Sequence, residues 1–371
     1  MKVYLLAPNY CWHADDFLKL SSYNKNLKYK FISDTPPFIS RNFYKKYFYF
    51  LNISYEFFQR LWRLLLCIPW SFYLKIRLND NTPIHCVGLF SLFITRLGNI
   101  SLKRIIFTPQ GSDLLVLPDK NFIVKKFYFK NLYKLSFITV DSEMLFNKSL
   151  SLCPYLKKDK IKIIQNGVPL DKISKLINSK NYLKKREIDI CWIRGLVDNY
   201  QFKYFLALFK FLSKYSNSEI NITIISAYGL SSIPKEIFEY KNINLKLLPR
   251  LDSEKFLNCI FDSKVIVSIP LSDSSPRSVY ESILLGCKLF LTDLDCLNWI
   301  PDNLRSDFTY TSGDLKKDAI NIIEQINSFK EANDLQHFCD KYPEFFKALD
   351  YKEIVESYLN IFKIVNGNCI S

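Results

Sequence analysis

The 371-residue sequence lacks any spacing that would turn its ten cysteines into a device. No CxxC pair occurs, and no CxxC stands with histidines at zinc-ligand spacing, so neither a zinc site nor a dithiol redox motif is indicated. The cysteines read instead as small buried hydrophobes in a reducing compartment. Long apolar runs are missing too. The charge-free stretches 64–74 and 81–95 fall short of the ~18 to 20 residues that cross a bilayer, and the opening "MKVYLLAPNYCWHADD" has too short an apolar run for a signal peptide. A cytoplasmic protein is expected. Zinc-finger spacing, RNP-like strings and arginine-rich runs are absent as well, which argues against nucleic acid as a partner. Histidine is scarce: His13, His85 and His337 are the whole supply.

Apolar and basic residues are what the chain does have. Hydrophobic content of 49%, with 16% aromatic, is ample for two packed cores, and the length favours two domains over one. The charge is lopsided. Residues 1–186 hold 31 Lys+Arg against 11 Asp+Glu, a net of +20, whereas residues 187–371 hold 20 against 25, a net of −5. A basic half can face an anionic membrane or an acidic ligand. The stretch from Arg41 to Arg77 interleaves Lys and Arg with Phe, Tyr, Trp and Leu, a pattern suited to a lipid headgroup region, so contact with an anionic membrane surface is expected.

Short apolar runs ended by turn residues recur along the chain. "KVYLLAP", "PIHCVGLF", "RIIFTP", "FITVDS" and "IKIIQNG" set the rhythm in the first half. "IDICWIRG", "INITIISAYG", "INLKLLP", "KVIVSIPL" and "KLFLTD" repeat it in the second. Helix-length segments separate them, as in βα units on a parallel sheet. The reading is α/β: a doubly wound domain over 1–170, a polar basic linker over 171–187 and a second doubly wound domain over 188–345. A closing helix over 346–371, with Ile354, Val355, Tyr358, Leu359 and Phe362 at helical spacing, is placed to pack back on the first domain.

One segment carries chemistry beyond its fold: "VIVSIPLSDSSPRSVYESILLGCKLFLT", residues 265–292. It reads as strand, polar turn, helix and strand. Ligands of open α/β sheets collect outside the carboxyl ends of strands, where helix amino termini attract phosphate. Ser275 can cap the helix, Pro276 suits its first position, and Arg277 and Ser278 fall in its first turn. Glu281, about one and a half turns in, can accept two hydrogen bonds from a vicinal diol such as ribose. Asp273 would reach another part of the same ligand. Diphosphate, diol and a second polyol together describe a nucleotide sugar.

These residues resemble the donor-site segment of retaining GT-B glycosyltransferases of the family 4 type, whose pattern is an acidic residue, seven positions, then Glu. Asp273, Pro276, Ser278, Glu281 and Gly286 match it. "CWIRGLVDNY" looks like the family's glycine–arginine phosphate loop, with Arg194 as the diphosphate cation and Gly195 beside it. "TPQGSDLL", "ITVDSEML" and "IIQNGVPLDKI" resemble its amino-domain signatures. The resemblance implies a GT-B fold, two Rossmann-like domains facing across a cleft. It also implies a retaining hexosyltransferase using a UDP- or GDP-sugar, with Glu281 on the ribose and Asp273 on the transferred sugar. His13, His85 and Asp113 are the candidates on the acceptor side, against the alternatives of a loop or core histidine and, for Asp113, a helix cap. Asn166 and Gly167 are read as shaping the turn into the linker, and His337 as structural.

Three departures stand out. Tyr200 or Gln201 occupies the place of the family's usual second phosphate cation, a lysine, and Lys203 comes slightly late. "NYCWHADD" replaces a glycine-rich loop, and "DLDCLNW" a Gly-Gly turn. Asp293 and Asp295 in that last string read as a turn rather than a metal pair. Lys/Arg side chains and a helix terminus can neutralise a diphosphate unaided, so no metal or other cofactor is expected. The basic first half suggests a glycan acceptor linked to polyprenyl diphosphate, as in bacterial surface polysaccharide assembly at the inner face of the membrane. An epimerase or hydrolase on the same fold, or a silent sugar-nucleotide-binding subunit, are the rival readings.

Overall fold

A computed structural model describes residues 1–8, 12–35, 55–78, 80–179, 186–226, 233–330 and 335–370, with only the helical backbone given at 12–15, 55–64, 335–337 and 368–370. The chain divides into two units, Met1–Gln165 together with Tyr351–Ser371, and Asn166–Asp350.

The first unit holds β1 (Lys2–Ala7), β2 (Lys28–Ser33), β3 (Ile84–Val87), β4 (Ile105–Thr108), β5 (Phe137–Val140) and β6 (Ile161–Ile163). They form one sheet in the order β2-β1-β3-β4-β5-β6, with parallel neighbours throughout. Alternation along β1 sorts its side chains onto two faces. Tyr4 and Leu6 join one core with Cys67, Leu74, Leu92, Ile94 and Tyr128, from helices Tyr55–Arg77, Leu89–Leu97 and Phe122–Asn131. Val3, Leu5 and Ala7 join the other with Phe17 and Leu20 of helix Trp12–Tyr23 and with Tyr358, Leu359 and Phe362 of helix Tyr351–Ile370. The closing helix is therefore part of the first unit's core.

The second unit holds β7 (Ile188–Trp192), β8 (Ile220–Ser226), β9 (Ile243–Pro249), β10 (Ser263–Ser268), β11 (Lys288–Leu291) and β12 (Phe308–Tyr310). The sheet order is β12-β11-β10-β7-β8-β9, again with parallel neighbours. Ile190, Trp192, Val265 and Val267 pack against helices Phe202–Tyr215 and Leu315–Asn327. The chain winds outward from β7 through β8 and β9, then returns to lay β10 on the other side of β7. That reversal makes the β7/β10 edge the switch point of a doubly wound sheet.

Each unit has one strand more than the apolar runs predict. β2 ("KYKFIS") and β12 ("FTY") are edge strands. With a neighbour on one side only, they carry polar residues or stop after three, so the continuous apolar signal of a central parallel strand is missing. Part of the segment expected to be the linker is the helix Leu170–Ser179, whose Ile173 and Ile177 are buried one turn apart; residues 180–185 lie outside the described residues.

Candidate functional site at the β7/β10 switch point

Two loops leave the carboxyl ends of β7 and β10 side by side, and their side chains interlock. The Trp192 indole, stacked on Phe205 with ring centroids 4.6 Å apart, donates from Nε1 to the Arg194 carbonyl oxygen at 2.7 Å. This fixes the first loop from inside the core. Arg194 then reaches across. Its Nε donates to Ser268 Oγ at 2.7 Å, its Nη2 stands 3.1 Å from Asp273 Oδ2, and its guanidinium lies 5.5 Å from the Tyr200 ring centroid. The backbone N–H of Ser274 donates to Asp273 Oδ1 at 2.8 Å, orienting the carboxylate.

Arg194 and Asp273 keep only 12% and 18% of their side chains exposed. Although Nη2 and Oδ2 are in contact, they are not aligned as a hydrogen bond, and both are buried polar atoms without a hydrogen-bond partner among the described residues. Buried polar groups are nearly always satisfied, so the pair holds unused donor and acceptor capacity at the switch point. The stitching continues outward: Leu271 N donates to Asn199 O at 2.7 Å, and Asn199 Nδ2 to Ser272 O at 3.1 Å.

Gly195 follows Arg194 in the turn. Tyr200 and Gln201, standing where the lysine would be, do different work. Tyr200 faces the Arg194 guanidinium, while Gln201 adopts left-handed backbone (φ 55°) and donates from Nε2 to Ile269 O at 2.9 Å. Lys203 is 88% exposed and pairs with Asp198 at 3.4 Å. Gln201 thus braces the end of β10.

The helix after this loop spans Arg277–Leu284. Its capping differs from expectation. Pro276 is the N-cap, with φ −77° and ψ 81° and no side-chain cap, and Ser275 is buried with its hydroxyl 3.1 Å from that of Tyr280. The aromatic packing explains the change, because Tyr280 is also held by Trp299 Nε1 at 3.2 Å, so its hydroxyl is fixed where it recruits Ser275. Ser278 sits in the first turn. Glu281 is buried, and its Oε1 accepts from Arg277 Nε at 3.1 Å, one helical turn back. Asn166, 109 residues earlier, donates from Nδ2 to the Ser275 carbonyl at 3.1 Å. It braces the loop after β10 rather than only shaping a turn.

The acceptor-side candidates in the first unit do not gather. His85 is the second residue of β3, paired with Leu5 and Ile106, and fully buried. Its Nε2 lies 2.7 Å from Thr108 Oγ1, its Nδ1 3.2 Å from the Tyr29 hydroxyl, and Phe17 packs on the ring at 4.4 Å. Burial lowers its pKa to about 3, so it is neutral at ordinary pH. The expectation that His85 touches substrate is therefore corrected: a ring sealed between two helices and the sheet is a core histidine. Asp113 is the N3 residue of a capping box on helix Gly111–Leu115, and its Oδ2 also accepts from Leu89 N at 2.8 Å. Burial raises its pKa despite these two backbone hydrogen bonds. It ties two helix starts together. His13 lies on the helix Trp12–Tyr23, and its side chain, like that of His337, lies outside the described residues.

Among the described residues no group of three His, Cys, Asp or Glu is arranged to hold a metal ion. Asp293 and Asp295 are exposed in the turn after β11.

No family model matches the chain, and no curated protein matches it. Solved structures do. A UDP-forming α,α-trehalose-phosphate synthase from Burkholderia xenovorans superposes with a TM-score of 0.68 at 11% identity, covering 98% of this chain and 99% of that one. A glycosyltransferase from Rickettsia africae gives 0.65 at 15% identity, with 98% of each chain covered. S. aureus TarM, in complex with fondaparinux, α-GlcNAc-glycerol and UDP, gives 0.57 at 17% identity over 81% of this chain and 59% of that one. At such identities the likeness establishes a shared fold, that of the GT-B glycosyltransferases, and it extends over nearly the whole chain.

Proposed function

We propose that this protein is a glycosyltransferase that binds a nucleotide-sugar donor at the β7/β10 switch point and transfers the sugar to a glycan acceptor. The observation that carries the reading is the convergence of Arg194, Ser268 and Asp273 where an open α/β sheet presents its ligand site. The GT-B fold of the similar structures supports it, as does the nucleotide named with several of them: the synthase is UDP-forming, and the TarM structure contains UDP.

Each residue has a role in this reading. Arg194 and the N-terminus of the Arg277–Leu284 helix offset the diphosphate charge. The helix turn at Pro276, Arg277 and Ser278 contributes backbone N–H groups, and Gly195 lets the backbone approach. Glu281 accepts from the ribose diol, exchanging its contact with Arg277 for the ligand. Asp273 takes a hydroxyl of the transferred sugar. The bond between the anomeric carbon and the phosphate oxygen breaks as the acceptor oxygen bonds to that carbon, and the leaving phosphate oxygen takes the acceptor proton. Neither a protein base nor a metal is required, and the configuration is retained, as in family 4 enzymes. The net charge of the first unit supports a diphosphate-lipid-linked acceptor and peripheral attachment to the inner face of the cell membrane, in surface polysaccharide assembly.

A second reading, a binding subunit without turnover, is favoured by one observation: Gln201 spends its side chain on Ile269 O where a second phosphate cation would serve catalysis. An epimerase or hydrolase draws no support from His85, which is sealed in the core. Incubation with a panel of UDP- and GDP-sugars, with and without a lipid-linked glycan, separates the readings. Sugar transfer is expected with one donor. Nucleotide binding without transfer would establish the silent subunit, and no binding to either nucleotide would overturn both.

A further inference from the structure

We infer that the outer surface of one helical layer of the first unit docks on an anionic lipid bilayer, with a hollow between Phe93 and Phe127 receiving a headgroup phosphate. This rests on the membrane-peripheral reading above and gives it a location. The layer is formed by the helices Tyr55–Arg77, Leu89–Leu97 and Phe122–Asn131, whose inward residues share one core on one face of the sheet. Neighbouring helices are close. A Cβ on Gly98 would stand 2.7 Å from the Ser71 carbonyl oxygen, and the Phe93 and Phe127 rings lie 6.0 Å apart.

A surface helix ordinarily turns a polar face outward. These do not. Cys67, Ser71 and Leu74 are buried inward, yet the opposite side of the same helix shows Leu65, Ile68, Phe72 and Ile76 at steps of three, four and four, Ile76 being 71% exposed. On the third helix, started by Asn121 Oδ1 accepting from Ile123 N and Val124 N, Phe122 and Ile123 stand 75% and 77% exposed. Exposed lysines alternate with them: Lys125, Lys126, Lys130 and Lys134. Arg77 lies over Tyr73 at 5.9 Å, Lys126 over Phe122 at 6.0 Å and Lys134 over Tyr133 at 5.3 Å. Rings thus carry cations beside them, as in segments that lie at the boundary of headgroups and acyl chains.

The hollow, of about 310 Å³, has Phe93, Leu97 and Phe127 as its apolar lining and Arg96, Lys130 and Lys134 as its charge, without a carboxylate. Charge complementarity selects the occupant. Between Pro83 and Lys134 there are eight Lys+Arg and two carboxylates. Asp113 is committed to its capping box and Asp119 to Lys148 at 2.7 Å. A polyanion such as nucleic acid would use the lysines but leave Phe122, Ile123 and Ile76 in water. A bilayer surface uses both. No described helix is long and apolar enough to cross a membrane, so the contact is a surface one.

Co-sedimentation with vesicles of phosphatidylcholine, alone or mixed with phosphatidylglycerol, tests this on the full chain. A basic residue near an anionic surface is worth roughly fivefold in partition. The variant Phe122→Ser, Ile123→Ser, Lys126→Gln, Lys130→Gln is therefore expected to bind the mixed vesicles at least tenfold more weakly. Ile364→Ser, an exposed position on the closing helix of the opposite sheet face, should bind like the parent. UDP and GDP calorimetry and thermal unfolding, unchanged in both variants, would show that the fold is intact. If the parent ignores anionic vesicles even at low salt, both this face and the membrane reading fail. If the parent binds and the fourfold variant binds equally, this face fails and the membrane reading survives. If the parent prefers short duplex DNA to the vesicles, and the variant loses both together, the surface is a polyanion site and the bilayer assignment is overturned.

Discussion

The two units share an architecture and differ in what they show to solvent. The first carries 27 Lys+Arg against 12 Asp+Glu, a net of +15, and the second carries 24 against 24. Among the described residues, fifteen of the strongly exposed large hydrophobics lie in the first unit and three in the second. Equal sheets can be closed by equal helices, so the difference is not required by folding. The second unit concentrates its unusual features at one switch point, where a buried Arg–Asp contact is left with unused hydrogen-bonding atoms. The first spreads its own over a helical surface and keeps a strongly perturbed titrating group, His85, as a structural element. A ligand-binding unit and a surface-binding unit would diverge in this way.

Arg194→Ala should affect the second unit most. It removes the contacts to Ser268 and Asp273 and leaves a nearly buried carboxylate facing the vacated space. Breaking a buried ion pair from one side typically costs ~3 to 5 kcal/mol; with 12–18% of the pair exposed, about 2 to 3 kcal/mol is expected in urea unfolding of the second unit. Nucleotide affinity by calorimetry should fall at least ~100-fold. Loss of stability in the first unit instead would show that the site does not belong to the second alone.

Acid should separate the units next. His85 has its pKa lowered by burial from 6.5 to about 3. Below pH 6.5 the unfolded chain binds a proton the folded one refuses, so the first unit loses up to about 1.4 kcal/mol per pH unit, or ~2 kcal/mol by pH 5, and the loss ends only near pH 3. In the second unit the comparable group is Asp318. Burial pushes its pKa up, but hydrogen bonds from Ser312, Thr311 and Tyr204 outweigh that and hold it below the usual range. Its contribution is present above the unfolded carboxylate pKa of ~4 and is lost only as pH falls below it. Between pH 6.5 and 4.5 the first unit alone should weaken, and His85→Gln should flatten that slope. Urea unfolding at pH 7 and pH 5, followed by hydrogen exchange to resolve the units, reads both effects. Equal weakening of the two units would remove His85 as the cause.

Glu281→Gln is a smaller perturbation, since it keeps shape and removes charge. A hydrogen bond to a charged group is worth roughly 1.5 to 3 kcal/mol, so donor Kd should rise at least tenfold with no change in fold. Unchanged binding would mean that Glu281 serves the fold, through contacts such as that with Arg277 at 3.1 Å, and not the ligand.

How much of this was legible in the sequence follows from which interactions are local. The Asp273-to-Glu281 segment was readable because strand, turn and helix are contiguous. Arg194 was readable only through its family-like loop, and its contact with Asp273, 79 positions on, follows from the parallel pairing of β7 and β10 rather than from any spacing. Ser268, Asn199 and Asn166 were missed as site-building residues because one polar side chain at a strand or loop end looks like any other. "PIHCVGLF" misled. The family resemblance made its histidine an acceptor-side candidate, whereas β3 runs Ile84–Val87 and buries His85 among Phe17, Tyr358 and Phe362. The basic, aromatic character of the first half was plain, but of the segment it singled out, 41–77, residues 41–54 lie outside the described residues and 55–64 are given as helical backbone only. The lysine–aromatic face of helix Phe122–Asn131 went unmarked because its apolar residues face both core and solvent, which blurs the period.

The smallest expected effect is the response to chelation. In the proposed reading the diphosphate is held by Arg194 and by the N-terminus of the Arg277–Leu284 helix, whose macrodipole adds a fixed partial positive charge of roughly half a unit. Both are built into the fold and neither depends on an ion. Asp293 and Asp295, the one Asp-x-Asp pair after a strand, lie exposed on the turn beyond β11, one strand away from β10. Two exposed carboxylates without a third ligand make a weak divalent site, since such ions want six or more oxygens or a phosphate to share. Turnover measured in excess EDTA should therefore match turnover in added Mg²⁺ or Mn²⁺, while turnover in Asp293→Asn, Asp295→Asn should match the parent. A complete loss in EDTA restored by Mn²⁺, accompanied by inactivity of that double variant, would transfer the diphosphate from the cationic switch point of β7 and β10 to a metal held after β11.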